Sequence, residues 1–102
     1  MAIRQNKEET FVVAGTVDEW LIKSERALNL GKFTNISVNK TINQLTGNYK
    51  KLTVWGEIVV TLLPEGDKVK IHANSNANAD NIFALFNSPN KKILDQFKNN
   101  LS

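Results

Sequence analysis

Apolar positions change their period along the chain, and each change marks an element. Glu9 to Ala14 carries a short apolar run that ends at Gly15 and predicts a strand. Val17, Trp20, Leu21, Ser24, Ala27 and Leu28 then recur at helical spacing, with Lys23, Glu25 and Arg26 turned toward water. Thr16-Val17-Asp18-Glu19 reads as a capping box, and Gly31 can take a closing left-handed conformation, so a helix is predicted over 16–30. Beyond Gly31 the period becomes two. Phe33 to Val38 predicts one strand, with Ile36 and Val38 on one side. Thr41 to Thr46 predicts another, followed by a tight Gly47-Asn48 turn. Ile42 and Leu45 do not alternate cleanly there, a pattern that a bulge would produce.

Lys51 to Leu63 carries the strongest strand pattern. Leu52, Val54, Gly56, Ile58, Val60 and Leu62 share one side; Thr53, Trp55, Glu57, Val59 and Thr61 share the other. Pro64-Glu65-Gly66-Asp67 predicts a turn, and Lys68 to Ser75 alternates Val69, Ile71 and Ala73 against Lys70, His72 and Asn74. A four-residue loop sets Leu62 against Val69, Val60 against Ile71, and Val59 beside His72. Ile82, Phe83, Leu85 and Phe86 fit a short helical turn capped by Asp80. Ser88-Pro89 opens a last helix over 88–100, with a stripe of Ile93, Leu94, Phe97 and Leu101. The expected order is β-α-β-β-β-β-α: a five-stranded curved antiparallel sheet with two helices on one face, α+β in class.

Composition narrows the function classes. At 102 residues the chain supports one core, so residues 1–102 are expected to form a single domain, with 1–8 a flexible N-terminus. Without cysteine there is no disulfide, no thiolate catalysis and no cysteine-ligated metal. A formal charge of +3 does not by itself specify a nucleic-acid partner. The apolar run Phe11–Ala14 is too short for a signal peptide or membrane span, which makes the cytoplasm the default location and a membrane partner unexpected.

Trp55-Gly56-Glu57-Ile58 on the long strand, Pro64-Glu65-Gly66 in the turn, Val69 to Ser75 and the closing Asn90-Lys91-Lys92-Ile93 carry a resemblance. The chain resembles small uncharacterised bacterial proteins with a single-repeat TATA-binding-protein-like β-α-β4-α fold, close to helix-grip folds in element order. The resemblance implies a fold and no function.

Candidate chemistry is sparse. His72 is the sole histidine, and its nearest expected acid is Glu57 on the same outward side. One histidine beside one carboxylate makes neither a triad nor a zinc site, so no catalytic residue, metal ligand or cofactor is expected and enzymatic activity is set aside. Lys50, Lys51, Lys68 and Lys70 near Tyr49 and Trp55 form the minimum pattern for nucleic-acid contact, diluted by Glu57, Glu65 and Asp67. The leading expectation is association with a protein or a second copy of this chain through the uncovered sheet face. Trp55, Glu57, Val59, Thr61, Lys70, His72 and Asn74 are the interface candidates. The alternative is a small apolar ligand held between sheet and helices by Trp20, Leu28, Phe83, Phe86, Ile93 and Phe97, entering beside residues 76–89.

Overall fold

The computed structural model describes residues 3–51, 54–79 and 89–101. Five strands and two helices run in the order β1 (Ile3–Ala14), α1 (Val17–Leu30), β2 (Thr34–Asn39), β3 (Gln44–Lys51), β4 (Val54–Glu65), β5 (Lys68–Ala79) and α2 (Pro89–Lys98). The strands form one antiparallel sheet in the order β1-β5-β4-β3-β2, so the first strand closes beside the last. Both helices cover the same face of this curved sheet, a helix-grip type of α+β fold.

Side-chain alternation explains the layering. Ile58, Val60 and Leu62 of β4, Val69, Ile71, Ala73 and Ala77 of β5 and Leu45 of β3 are fully buried on the inner face. Leu21, Ala27 and Leu28 of α1 and Ile93, Leu94 and Phe97 of α2 close over them in one cluster. Phe11 and Val13 extend that cluster along β1, and Ile36, Val38 and Tyr49 extend it toward β2. Helical spacing and strand alternation thus converge on a single core.

Several elements depart from their sequence-predicted bounds. β1 begins at Ile3 rather than Glu9, and its whole length pairs with β5, from Ile3 opposite Ala79 to Ala14 opposite Lys68. Residues 3–8 thus belong to a hydrogen-bonded strand. Its polar sequence hides it from a hydrophobicity pattern, because cross-strand polar contacts rather than burial organise its outer side.

The expected turn at Gly47-Asn48 is instead the middle of β3. The chain reverses at residues 40–43, where the Asn39 Oδ1 accepts from the Thr41 amide at 3.0 Å and Asn43 takes a φ of 52°. Asparagine supplies both the side-chain acceptor and the tolerance of positive φ that such a turn needs. Ile42 sits in this turn, which is why it fails to alternate with Leu45. The sheet irregularity lies earlier, between Thr34 and Ser37 of β2, where Asn35 has a φ of 51°. Gly47 is buried beneath Phe33, whose Cβ lies 3.3 Å from where a Gly47 Cβ would stand.

The β4–β5 loop is two residues, not four. Glu65 opposes Lys68, and Gly66 carries a φ of 63°. Leu62 therefore faces Ile71, Val60 faces Ala73 and Thr61 faces His72. The shift from the expected pairing is two positions, so every side chain keeps its face while changing its neighbour.

At the start of α1 the Thr16 Oγ1 accepts from the Glu19 amide at 3.2 Å, the first half of the capping box. At its end Gly31 is not left-handed; its φ is −77°, and Lys32 takes the left-handed position at 63°. Gly31 is small for a different reason. A Cβ there would stand 3.0 Å from Phe33 Cε1 and 3.1 Å from both Gln96 Cγ and the Gln96 carbonyl, so the residue lets α1 approach α2. The expected helical turn over 80–87 lies outside the described residues.

Candidate functional site

Two regions present polar chemistry beside accessible surface: the outer face of the sheet, and a cleft at one pole.

On the outer face, strand register brings polar side chains into rows. Thr10, His72, Thr61 and Gln44 stand side by side across β1, β5, β4 and β3, and Glu8, Asn74, Val59 and Thr46 form the next row. Asn6 Nδ2 donates to Asn74 Oδ1 at 3.0 Å and to Asn76 Oδ1 at 2.7 Å. Asn74 Nδ2 donates to Glu8 Oε1 at 3.0 Å. The other Glu8 oxygen lies 3.7 Å from His72 Nε2, while His72 Nδ1 and Thr10 Oγ1 share a hydrogen bond of 2.9 Å. Gln44 Nε2 donates to Thr61 Oγ1 at 3.2 Å. These bonds tie β1 to β5 and β3 to β4 laterally.

The acid beside His72 is therefore Glu8, not Glu57, because β1 extends past the histidine and the hairpin register differs from the expected one. Glu57 is exposed between Asn48 and Asn76. Trp55, Val59, Thr61, Lys70 and Asn74 are each half-buried on this same side. Its more exposed apolar groups lie toward the hairpin end, where Val12 (51% exposed) and Leu63 (48%) flank Lys70.

The ligand-pocket candidates fall into different settings. Leu28, Ile93 and Phe97 have no exposed surface and belong to the core. Trp20 is half-buried; its Nε1 donates to the Ala14 carbonyl at 2.8 Å, and the Lys23 ammonium sits 4.5 Å from its ring centroid. Phe83 and Phe86 lie outside the described residues, as does most of the expected entry beside 76–89.

The inner face also holds polar pairs where α2 meets the sheet. Ser75 Oγ donates to Asn90 Oδ1 at 2.7 Å, and both residues are buried. Lys98 Nζ lies 2.8 Å from Glu9 Oε2, which gives that buried oxygen a counter-charge although the approach is poorly directed for a hydrogen bond. On α2 itself, Lys91 donates to Asp95 at 2.9 Å. That hydrogen bond holds the Asp95 carboxyl below its ordinary pKa and raises the Lys91 ammonium above its own.

The cleft lies at the pole where β1 turns into α1 and β4 turns into β5. Its volume is about 580 Å³. Gly15, Thr16, Val17 and Asp18 form one wall, Pro64 and Gly66 to Val69 form the opposite one, and Asn43 of the β2–β3 turn closes the side. Val69 is buried and Val17 half-buried, so the floor is apolar; Asp18, Asp67 and Lys68 are exposed around it. The walls are braced together. Gly15 N donates to the Asp67 carbonyl at 3.1 Å, and Leu62 N donates to the Asn43 carbonyl at 2.9 Å. Gly15 has a φ of 129°, and a Cβ there would collide with the Glu19 carboxylate and stand 2.8 Å from Trp20 Nε1. Only glycine fits that bend.

Sequence reasoning did not find this cleft. Its residues read as a cap, a turn and a loop, each with an adequate local role. The signal was topological: in an antiparallel sheet of this order, the end of β1, the β2–β3 turn and the β4–β5 loop all reach one pole.

Fold and geometry place the chain in the class of helix-grip α+β proteins, and solved structures share that architecture. Norcoclaurine synthase from Thalictrum flavum, a point mutant in complex with a transition-state analogue, superposes with a TM-score of 0.68 at 11% identity. The match covers 100% of this chain and 94% of that one. The same plant enzyme in complex with dopamine and hydroxybenzaldehyde gives 0.58 at 10% identity, covering 96% and 86%. A conserved protein from Geobacillus kaustophilus gives 0.55 at 12% identity, covering 95% and 92%. No protein-family model matches the chain, and no curated protein matches it. At these identities the likeness is one of fold alone.

Two expectations change. The helix-grip part of the anticipated fold stands, whereas the TATA-binding-protein-like part has no support from these structures. The exclusion of enzymatic activity is withdrawn, because a synthase is built on this same fold. No helix among the described residues is long and apolar enough to cross a membrane.

Proposed function

We propose that this chain is a small-molecule-binding domain whose ligand occupies the polar-rimmed cleft between the start of α1 and the β4–β5 hairpin. The observation that carries the reading is the cleft itself. About 580 Å³ with an apolar floor falls within the range of roughly 300–1,000 Å³ typical of ligand sites. Its walls are preformed by the Gly15–Asp67 and Leu62–Asn43 hydrogen bonds, which lowers the ordering cost of binding. Structures of the same fold hold a transition-state analogue in one case and dopamine with hydroxybenzaldehyde in another, which supports a ligand-binding use of this architecture. A fragment library screened by amide chemical shifts tests it. Hits are expected to move Gly15 to Asp18 and Gly66 to Val69; hits confined to other surfaces would remove the cleft from consideration.

A second reading is association through the outer sheet face, by self-pairing or docking of another protein, with Trp55, Glu57, Val59, Thr61, Lys70, His72 and Asn74 in the contact. The exposed pair Val12 and Leu63 beside Lys70 favours it. Amide shifts followed over protein concentration should then change along residues 55–63 and 70–74, and Val12→Ser should suppress the change. Shifts independent of concentration up to millimolar levels would exclude self-pairing.

A further inference from the structure

We infer that the cleft recognises a zwitterionic amino compound, an α-amino acid with an apolar side chain being the simplest member of the class. The inference rests on the small-molecule reading of the same cleft and adds the chemistry of its occupant. Three charged side chains, Asp18, Asp67 and Lys68, surround the apolar floor formed by Val17 and Val69. Ion pairs elsewhere join Lys23 to Glu19, Lys91 to Asp95 and Lys98 to Glu9. Among the described residues, none of the three cleft charges enters an ion pair. Lys68 stands opposite Glu65 in the hairpin without forming one.

Both signs of charge are thus presented together. Two carboxylates disfavour a phosphate or any other purely anionic ligand, and the lysine disfavours a purely cationic one. A molecule bearing an ammonium and a carboxylate on one carbon meets both. Backbone donors add to the carboxylate side. The first amides of a helix have no intrahelical acceptor, and in α1 the Thr16 side chain satisfies only that of Glu19, leaving Val17 and Asp18 at the cleft wall. The ammonium is matched by Asp67, whose loop is pinned through its carbonyl by Gly15. An apolar side chain would lie on Val17 and Val69.

Three ligands sharing one branched carbon skeleton test this by amide-shift titration: L-leucine, isopentylamine, which lacks the carboxylate, and 4-methylpentanoate, which lacks the ammonium. Leucine is expected to shift Gly15 to Asp18 and Gly66 to Val69 and to bind about tenfold more tightly than either truncated form, since each loses a set of charge-assisted contacts. Lys68→Gln should weaken leucine and narrow its advantage over isopentylamine while leaving isopentylamine itself no weaker. Asp67→Asn should reduce leucine to the level of 4-methylpentanoate. Both positions are exposed, and the readout is a ratio between ligands within one variant, so altered stability does not imitate the result. If either truncated ligand binds the cleft as tightly as leucine, the zwitterion inference is overturned and the ligand-binding reading stands. The same holds if leucine leaves the cleft unmoved while fragments move it. If neither leucine nor any fragment moves the cleft, both fall.

Discussion

The two faces of this sheet are built from the same strands by opposite means. On the inner face, alternate residues of β4 and β5 are fully buried and sealed by the apolar stripes of α1 and α2. On the outer face, their neighbours one position along are joined by a network of amide, carboxylate, imidazole and hydroxyl groups in contact with solvent. Burial of apolar surface contributes roughly 25 cal/mol per Å², whereas a hydrogen bond that water can replace contributes about 0.5–1.5 kcal/mol net. The inner face therefore sets stability, and the outer face sets lateral alignment and how the sheet meets its surroundings.

The largest effect should follow from Phe97→Ala. This side chain has no exposed surface and sits where α2 meets the core, so its loss is expected to cost about 3–5 kcal/mol in chemical denaturation. A cost below about 1 kcal/mol would mean that α2 does not pack on the sheet as described.

Gly31→Ala probes the seam between the helices. Its new methyl would press on Phe33 and on the Gln96 backbone, and a loss of about 1–3 kcal/mol is expected. An exposed helix-capping glycine would give a neutral or stabilising result instead, which would show that the helices are further apart.

Asn74→Ala sharpens the contrast from the other side. It removes one bond from Asn6 and one to Glu8, yet water can reach all three groups, so a loss of about 0.5–1.5 kcal/mol is expected. A cost equal to that of Phe97→Ala would give the outer network the weight of a core.

The smallest effect concerns the exposed Lys91–Asp95 pair. The Asp95 carboxyl is held below its ordinary pKa by the hydrogen bond from Lys91, so the pair's contribution is present at neutral pH and fades as pH falls through the Asp95 titration. Lys91→Met should raise the Asp95 midpoint, followed by carboxyl carbon shifts, with stability nearly unchanged at neutral pH. An unmoved midpoint would show that the pair does not persist in solution.

These contrasts also explain what the sequence could show. The inner face was legible because burial leaves a periodic trace: Val69, Ile71 and Ala73 alternate, and Ile93, Leu94 and Phe97 recur at helical spacing. β1 was legible only over its apolar end, because Asn6 and Glu8 are ordered by partners some seventy positions away in sequence. The hairpin kept its faces but not its neighbours, since a register change of two positions leaves the hydrophobic pattern unaltered. The cleft left no periodic trace at all. Gly15, Asn43 and Gly66 each announce a turn, and only the strand order says that the three turns meet.

A small molecule bound at that meeting point, and not on the open sheet, would be seen in intermolecular nuclear Overhauser effects. These are measured between the tightest-binding fragment and the protein's methyl and aromatic protons. Contacts to the Val17 and Val69 methyls at the floor of the cleft are expected; contacts to Trp55 and Val59, with none to either cleft valine, would contradict the proposed site.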